Sequence, residues 1–74
     1  MVRKRRRWTE TGRGQKGSIF VASDGCIVRA KRVGRTVGGY QIWELEVIPM
    51  KGRRYKKRVH LKRRTELREA LKYV

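Results

Sequence analysis

Residues 40–48, YQIWELEVI, are the longest apolar-rich run in the chain, and the fold prediction starts from them. The run contains β-branched and aromatic residues but no glycine, and Pro49, which has no backbone donor, ends it. Successive side chains of a strand point to opposite faces. Trp43, Leu45 and Val47 therefore share one apolar face of a predicted strand. This pattern assigns Trp43 to the core.

The second face of this predicted strand is charged. It carries Glu44 and Glu46, two of only six carboxylates in the chain, while the segments before and after it are rich in Arg and Lys. Opposite charges pair across neighbouring strands. The strand is therefore predicted to lie at the centre of a small sheet, between two basic strands.

A hairpin is predicted before the central strand. Residues 18–22, SIFVA, and 26–33, CIVRAKRV, are two β-prone runs separated by Ser23-Asp24-Gly25. An Asp-Gly pair supplies residues that tolerate a positive φ angle, as hairpin turns require. The small apolar Cys26 falls on the same face as Val28 and is predicted to be a core residue.

A basic strand is predicted after the central one, in residues 53–61. In this segment Tyr55, Lys57, Val59 and Leu61 lie on one side. The other side carries three fixed cations and a histidine at two-residue spacing: Arg54, Lys56, Arg58 and His60. Such a row extends about 20 Å at the strand rise, which is comparable with a few phosphates of a nucleic-acid backbone.

The periodicity changes in residues 65–74, TELREALKYV, where apolar residues recur at helical spacing. Thr65 is a suitable N-cap and Glu66 suits the positive end of the helix dipole. The predicted fold is α+β: a small antiparallel sheet of three to four strands in a meander, followed by one C-terminal amphipathic helix. The helix packs on the sheet or on the helix of a second copy, which leaves a homodimer open.

The first 17 residues are predicted to be a disordered basic tail, and residues 18–74 a single domain. The tail, MVRKRRRWTETGRGQKG, has too little apolar surface to fold alone. It contains a block of five cations that suits a phosphate-binding arm: Arg3, Lys4, Arg5, Arg6 and Arg7. For Trp8 two interpretations stay open, stacking on a base and packing on the edge of the domain.

Charge indicates the class of partner. The chain has 22 Lys and Arg against 6 Asp and Glu, a net charge of +16. So one-sided a charge favours a polyanion, and nucleic acid is the expected partner. No run approaches the 18 apolar residues of a membrane span, so no membrane partner is expected. The expected location is intracellular, in the cytoplasm or on the nucleoid.

Catalytic, metal-binding and cofactor-binding patterns are absent from the sequence. A single Cys26 and a single His60 cannot build a four-ligand zinc site. The glycines of residues 34–39 match no nucleotide-binding fingerprint. Glu44 and Glu46 are better explained as partners of neighbouring cations than as a catalytic pair. The prediction is therefore a protein that is not an enzyme and needs no cofactor or metal.

A non-catalytic nucleic-acid-binding protein is the function that these observations favour. Phosphate contacts are predicted for five cations of the sheet, in addition to the arm: Arg29, Lys31, Arg54, Lys56 and Arg58. Tyr40 and Tyr55 are candidates for stacking on bases.

The order of the predicted elements resembles a known family. A hairpin, a long strand at 40–48, a turn, a basic strand ending in Val59-His60-Leu61 and an amphipathic helix resemble the positive-cofactor-four type of transcriptional coactivator. The resemblance covers residues 18–74. It implies a dimer that binds single-stranded or melted DNA on a curved sheet through basic and aromatic residues.

Two further resemblances keep other partners open. The chain is also similar to DNA binders that lay a three-stranded sheet in the major groove, of the plant ethylene-response and integrase arm-binding type. A basic chain of this size equally resembles an accessory ribosomal protein whose tail enters ribosomal RNA. The sequence analysis favours DNA, in a role related to transcription or chromatin, and keeps RNA as the alternative.

Overall fold

The computed structural model describes residues 6–74 and shows one five-stranded antiparallel sheet, in which each strand pairs with the next along the chain. The strands are β1 (Trp8–Arg13), β2 (Gly17–Ala22), β3 (Ile27–Arg35), β4 (Gln41–Ile48) and β5 (Tyr55–Leu61). A 3₁₀ turn, Arg64–Glu66, and a short helix, α1 (Leu67–Leu71), follow. The predicted α+β meander is thus confirmed, with β4 between the two basic strands β3 and β5.

The number of strands was predicted wrongly, because β1 lies inside the segment that was assigned to a disordered tail. β1 pairs with β2, with Trp8 opposite Ala22 and Arg13 opposite Ser18. The segment has little apolar surface of its own, but the edge of β2 supplies backbone hydrogen-bond partners and the core supplies a surface for Trp8. The tail boundary at residue 17 is therefore wrong for residues 8–13. Residues 1–5 of the predicted tail lie outside the described residues.

Trp8 packs against the core, which is one of its two predicted environments. Its main-chain oxygen also accepts a hydrogen bond from Arg68 Nη1 at 3.3 Å. Both contacts connect β1 to elements distant in sequence, namely the sheet core and the helical segment. The stacking interpretation of Trp8 has no support in this arrangement.

The core fills one face of the sheet, and α1 covers it. Trp43, Leu45 and Val47 are all buried there, as the alternation in β4 predicts. Leu67 and Leu71 of α1 pack on the same face with exposed fractions of 2% and 1%. The apolar stripe of the helix is therefore already covered within one chain. No helix of residues 6–74 lies over the sheet's other face, which is called the open face below.

The helix begins later than predicted. Thr65 lies within the 3₁₀ turn, and no side chain among the described residues caps either the turn or α1. Instead, the backbone N–H of Lys62 donates to Glu66 Oε2 at 3.1 Å, which draws the Glu66 side chain back towards the end of β5. The helical spacing of Leu67 and Leu71 persists, so the apolar pattern was right and the cap was wrong.

Cys26 is buried, as predicted from its small apolar character. Burial raises the pKa of its thiol. The thiol therefore stays protonated at neutral pH, and Cys26 acts as a small apolar side chain that packs in the core beside the start of β3.

The turn between β2 and β3 has the predicted glycine at a positive φ angle, 93° at Gly25. Asp24 Oδ1 accepts a hydrogen bond from the backbone N–H of Cys26 at 3.1 Å. Arg6 Nε donates to Asp24 Oδ2 at 2.8 Å, and Arg6 Nη1 donates to the main-chain oxygen of Val74 at 2.8 Å. The hydrogen bond from Cys26 and the positive charge of Arg6 both lower the pKa of Asp24.

These contacts predict a pH dependence of the turn. A carboxylate whose pKa is lowered by folding stabilises the fold above its unfolded pKa, and this contribution disappears as the pH falls through the lower folded value. We expect the Asp24 carboxyl to titrate below its usual value of 3.8 in a side-chain NMR titration, with the Cys26 amide shift following it. Asp24→Asn, which keeps an acceptor oxygen, should remove that step. A midpoint at or above 3.8 would contradict the assignment.

Candidate nucleic-acid interface

The open face carries a continuous row of residues across all five strands. Consecutive register partners place Gly12 beside Ile19, Ile19 beside Arg29, Arg29 beside Glu46 and Glu46 beside Lys56. The four gaps between strands give the row a width of about 19 Å. The two cations of the row therefore flank a carboxylate of the central strand.

A second row runs beside the first. Lys31 lies opposite Glu44, which lies opposite Arg58, while Gly17 is the partner of Lys31 on β2. The two rows together bring four cations and two carboxylates onto the open face. Their net charge is +2, in agreement with the predicted position of β4 between basic strands.

The carboxylates pair with the cations, but at long distances. Arg29 Nη1 lies 3.7 Å from Glu46 Oε1, and Glu44 lies 3.6 Å from Arg58 Nη2 and 3.9 Å from Lys56 Nζ. The three cationic side chains remain 63–67% exposed, against 22–25% for the carboxylates. Exposed ion pairs of this kind contribute about 0–1 kcal/mol. The cations can therefore turn towards phosphates at little cost.

A hollow of about 670 Å³ extends over the open face from the β1–β2 turn to Lys56 of β5. Three glycines line it, and so do the two carboxylates of β4. The cations that line it are Arg13, Lys16, Arg29, Lys31 and Lys56. The five cations and two carboxylates give the lining of the hollow a net charge of +3.

Arg13 and Lys16 are exposed cations of this hollow that the sequence analysis did not assign to the site. They flank the turn between β1 and β2, where the N–H of Gly14 donates to the main-chain oxygen of Gly17 at 2.8 Å. The signal that would have revealed them is the glycine pair at positions 14 and 17, which is typical of a tight connection between two strands. The interpretation of residues 1–17 as a disordered tail left no role for a turn between strands at these glycines.

Arg64 holds the β1–β2 turn in place from the far end of the chain. Its Nη2 donates to the main-chain oxygen of Gly17 at 2.7 Å and to Ser18 Oγ at 2.6 Å, and its Nη1 donates to the oxygen of Gln15 at 3.2 Å. Its guanidinium carbon lies 5.5 Å from the centroid of the Trp43 ring. The buried Ser18 in turn donates to Glu10 Oε2 at 2.7 Å. Arg64 is thus a structural residue that positions the edge of the hollow.

The predicted sheet residues divide into two groups. Arg29, Lys31, Lys56 and Arg58 lie together on the open face, whereas Arg54 is exposed in the segment before β5. The two predicted stacking residues are not brought together there. Tyr55 is the register partner of the buried Val47, and the Tyr40 ring lies 5.5 Å from Lys62 Nζ.

The arm is described only at its last two residues. Arg6 is engaged by Asp24 and by the main-chain oxygen of Val74, so its guanidinium stabilises the fold. The backbone of Arg7 pairs with Ser23, which extends the β1–β2 pairing by one step, and the Arg7 side chain is exposed. The predicted phosphate contacts of Arg3, Lys4 and Arg5 lie outside the described residues.

Two further classes of site were sought in residues 6–74. This part of the chain contains no group of three or more His, Cys, Asp or Glu side chains that could hold a metal ion. None of its helices is long and apolar enough to cross a membrane.

Comparison of the chain with known protein families, with curated proteins and with solved structures found no match in any of the three. The chemistry of the open face is therefore what indicates a function. The resemblance to the coactivator family stays a prediction made from the order of the elements.

Proposed function

We propose that this chain is a non-catalytic nucleic-acid-binding protein that contacts phosphates through its open face. One observation carries the proposal: Arg29, Lys31, Lys56 and Arg58 form two rows on a sheet face that no other element of the described chain covers. Phosphates that bind such a surface release their condensed counterions, which provides the main driving force.

The excess of arginine supports phosphate as the ligand. Fourteen of the 22 cations are arginine. Its planar guanidinium binds phosphate through two parallel hydrogen bonds and also stacks on bases, which a lysine ammonium cannot do. The two arginines of the open face, Arg29 and Arg58, lie on either side of β4 and remain about two-thirds exposed.

DNA is the nucleic acid that we place first, in an intracellular role related to transcription or chromatin. The support is the order of elements: β2, β3, β4, β5 and the helical segment follow one another as they do in the coactivator family that the sequence resembles. β1 has no counterpart in that resemblance. Binding to ribosomal RNA is the alternative outcome of the test.

The test is competition binding at two salt concentrations among single-stranded DNA, duplex DNA and structured RNA of matched length. The proposal predicts that single-stranded DNA competes best and keeps its advantage at the higher salt. Preference for structured RNA would replace DNA by RNA as the partner. Failure of all three to bind at low salt would overturn the proposed function.

A further inference from the structure

The two carboxylates of the open face are not explained by phosphate binding. Glu44 and Glu46 lie in the middle of the cationic rows and line the hollow, where they would repel a phosphate. Within residues 6–74 their side chains accept no hydrogen bond, since their nearest cationic nitrogens are 3.6 Å away or more. The two carboxylate side chains are 22–25% exposed, and among residues 6–74 no cationic nitrogen lies within hydrogen-bond distance of them.

The hollow is large enough to hold a flat ring. Its volume of about 670 Å³ lies within the range of small-molecule sites, roughly 300–1,000 Å³. Ile19, 39% exposed, offers an apolar surface beside Arg29. A Cβ atom at Gly12 would lie 3.4 Å from Ile19 Cδ1, so the Ile19 side chain lies beside a position that has no side chain of its own.

The chemistry of the lining distinguishes guanine from thymine and uracil. A carboxylate only accepts hydrogen bonds. Guanine presents two adjacent donors, N1–H and the N2 amino group, on its Watson–Crick edge, which match the two oxygens of one carboxylate. Thymine and uracil present a single donor between two carbonyl oxygens, and these oxygens would face the carboxylate. In a duplex the guanine edge is already paired, so only an unpaired base can present it.

We infer that the hollow binds one unpaired guanine base, with Glu44 or Glu46 accepting from N1–H and the N2 amino group. The base packs over Ile19, and the cations of the lining bind the flanking phosphates. This inference rests on the proposed function and adds a base preference to it.

Removing the two carboxylates should change the affinity for a thymidine DNA strand and the preference for guanine in opposite directions. This difference makes the inference testable. If Glu44 and Glu46 only repel phosphates, Glu44→Gln/Glu46→Gln strengthens binding to every strand alike. If they bind guanine, the double variant strengthens binding to a strand of thymidines but loses the additional affinity for guanine. The paired cations are surface residues, so the variant is expected to keep the fold.

The experiment measures the affinity of three ten-nucleotide single strands by fluorescence anisotropy at one salt concentration. They are oligothymidine, the same strand with one central guanosine, and the same strand with inosine, which lacks the N2 amino group. The wild-type protein is expected to bind the guanosine strand about tenfold more tightly than oligothymidine, with inosine between them. In the Glu44→Gln/Glu46→Gln variant, the ratio of the affinity for the guanosine strand to the affinity for oligothymidine should fall to about one.

A second variant tests the location independently. Gly12→Val places a side chain beside Ile19, at a position whose φ angle is not positive, and should remove the guanosine preference while oligothymidine still binds. The inference would be overturned if the wild-type protein bound the guanosine strand and oligothymidine with equal affinity. It would also be overturned if the Glu44→Gln/Glu46→Gln variant kept the wild-type preference for the guanosine strand. If oligothymidine also fails to bind the wild-type protein, the proposed function itself fails.

Discussion

Replacing Arg29, Lys31 and Lys56 by glutamine is expected to weaken binding to single-stranded DNA by at least about tenfold at low salt. All three side chains line the hollow on the open face. Each phosphate contact that is lost should lower the slope of log affinity against log salt by about 0.7 for a single strand. The triple variant should therefore reduce that slope by about two, as measured by anisotropy titrations at several salt concentrations.

A matched control separates the position of the charges from their number. The exposed residues Lys62, Arg63 and Lys72 belong to the carboxyl-terminal segment whose helix covers the opposite face of the sheet. Changing these three to glutamine removes the same net charge. We expect the control to change the salt slope much less than the open-face variant. Equal slopes in the two variants would show that the total charge, and not the open face, governs binding.

Replacing Leu71 by alanine is expected to lower the free energy of unfolding by about 2–5 kcal/mol. Leu71 is 1% exposed and, with Leu67, covers the core face of the sheet. A domain of this size has a stability of roughly 4–11 kcal/mol, so the loss removes a large part of it. Urea unfolding followed by far-ultraviolet circular dichroism measures the change.

Tyr73→Ala is the control for the helical segment, because Tyr73 is 79% exposed and only two residues away. Its side chain is expected to contribute less than about 0.5 kcal/mol. A loss below about 1 kcal/mol for Leu71→Ala would mean that α1 does not close the core. The apolar side of α1 would then be free to pack against another surface.

Local patterns in the sequence predicted the parts of the fold that depend on neighbouring residues. The alternation of residues 40–48 was sufficient to place Trp43 in the core, and the Asp24-Gly25 pair was sufficient to place a turn. The side of each strand that faces the core follows from a period of two, which any segment displays by itself. These features needed no knowledge of distant residues.

The parts that were missed depend on contacts between distant segments. β1 exists because β2 offers it an edge and because Trp8 reaches the core, and neither is visible within residues 8–13. Arg64 supports the β1–β2 turn from 46 to 49 residues away in sequence. Propensity and local pattern carry no information on such pairings.

The sequence was sufficient to predict the cations that β3 and β5 contribute to the candidate site, but not how they are arranged around the carboxylates. The sequence indicates that Arg29 and Lys56 lie on the polar sides of their strands. Only the register shows that both flank Glu46, and this register depends on how the loops close. The hollow depends on the register still more closely, because the β-bulge of β1 between Glu10 and Gly12 is what places a glycine beside Ile19.

An NMR titration of the backbone amides with a short oligothymidine at low salt tests nucleic-acid binding by the open face most directly. We expect the largest shift changes at the open-face positions of β3, β4 and β5, at residues 29, 31, 44, 46, 56 and 58, and little change in α1 (Leu67–Leu71). Changes concentrated in α1 and the segment before it, with the open face unaffected, would contradict the central claim that this face binds nucleic acid.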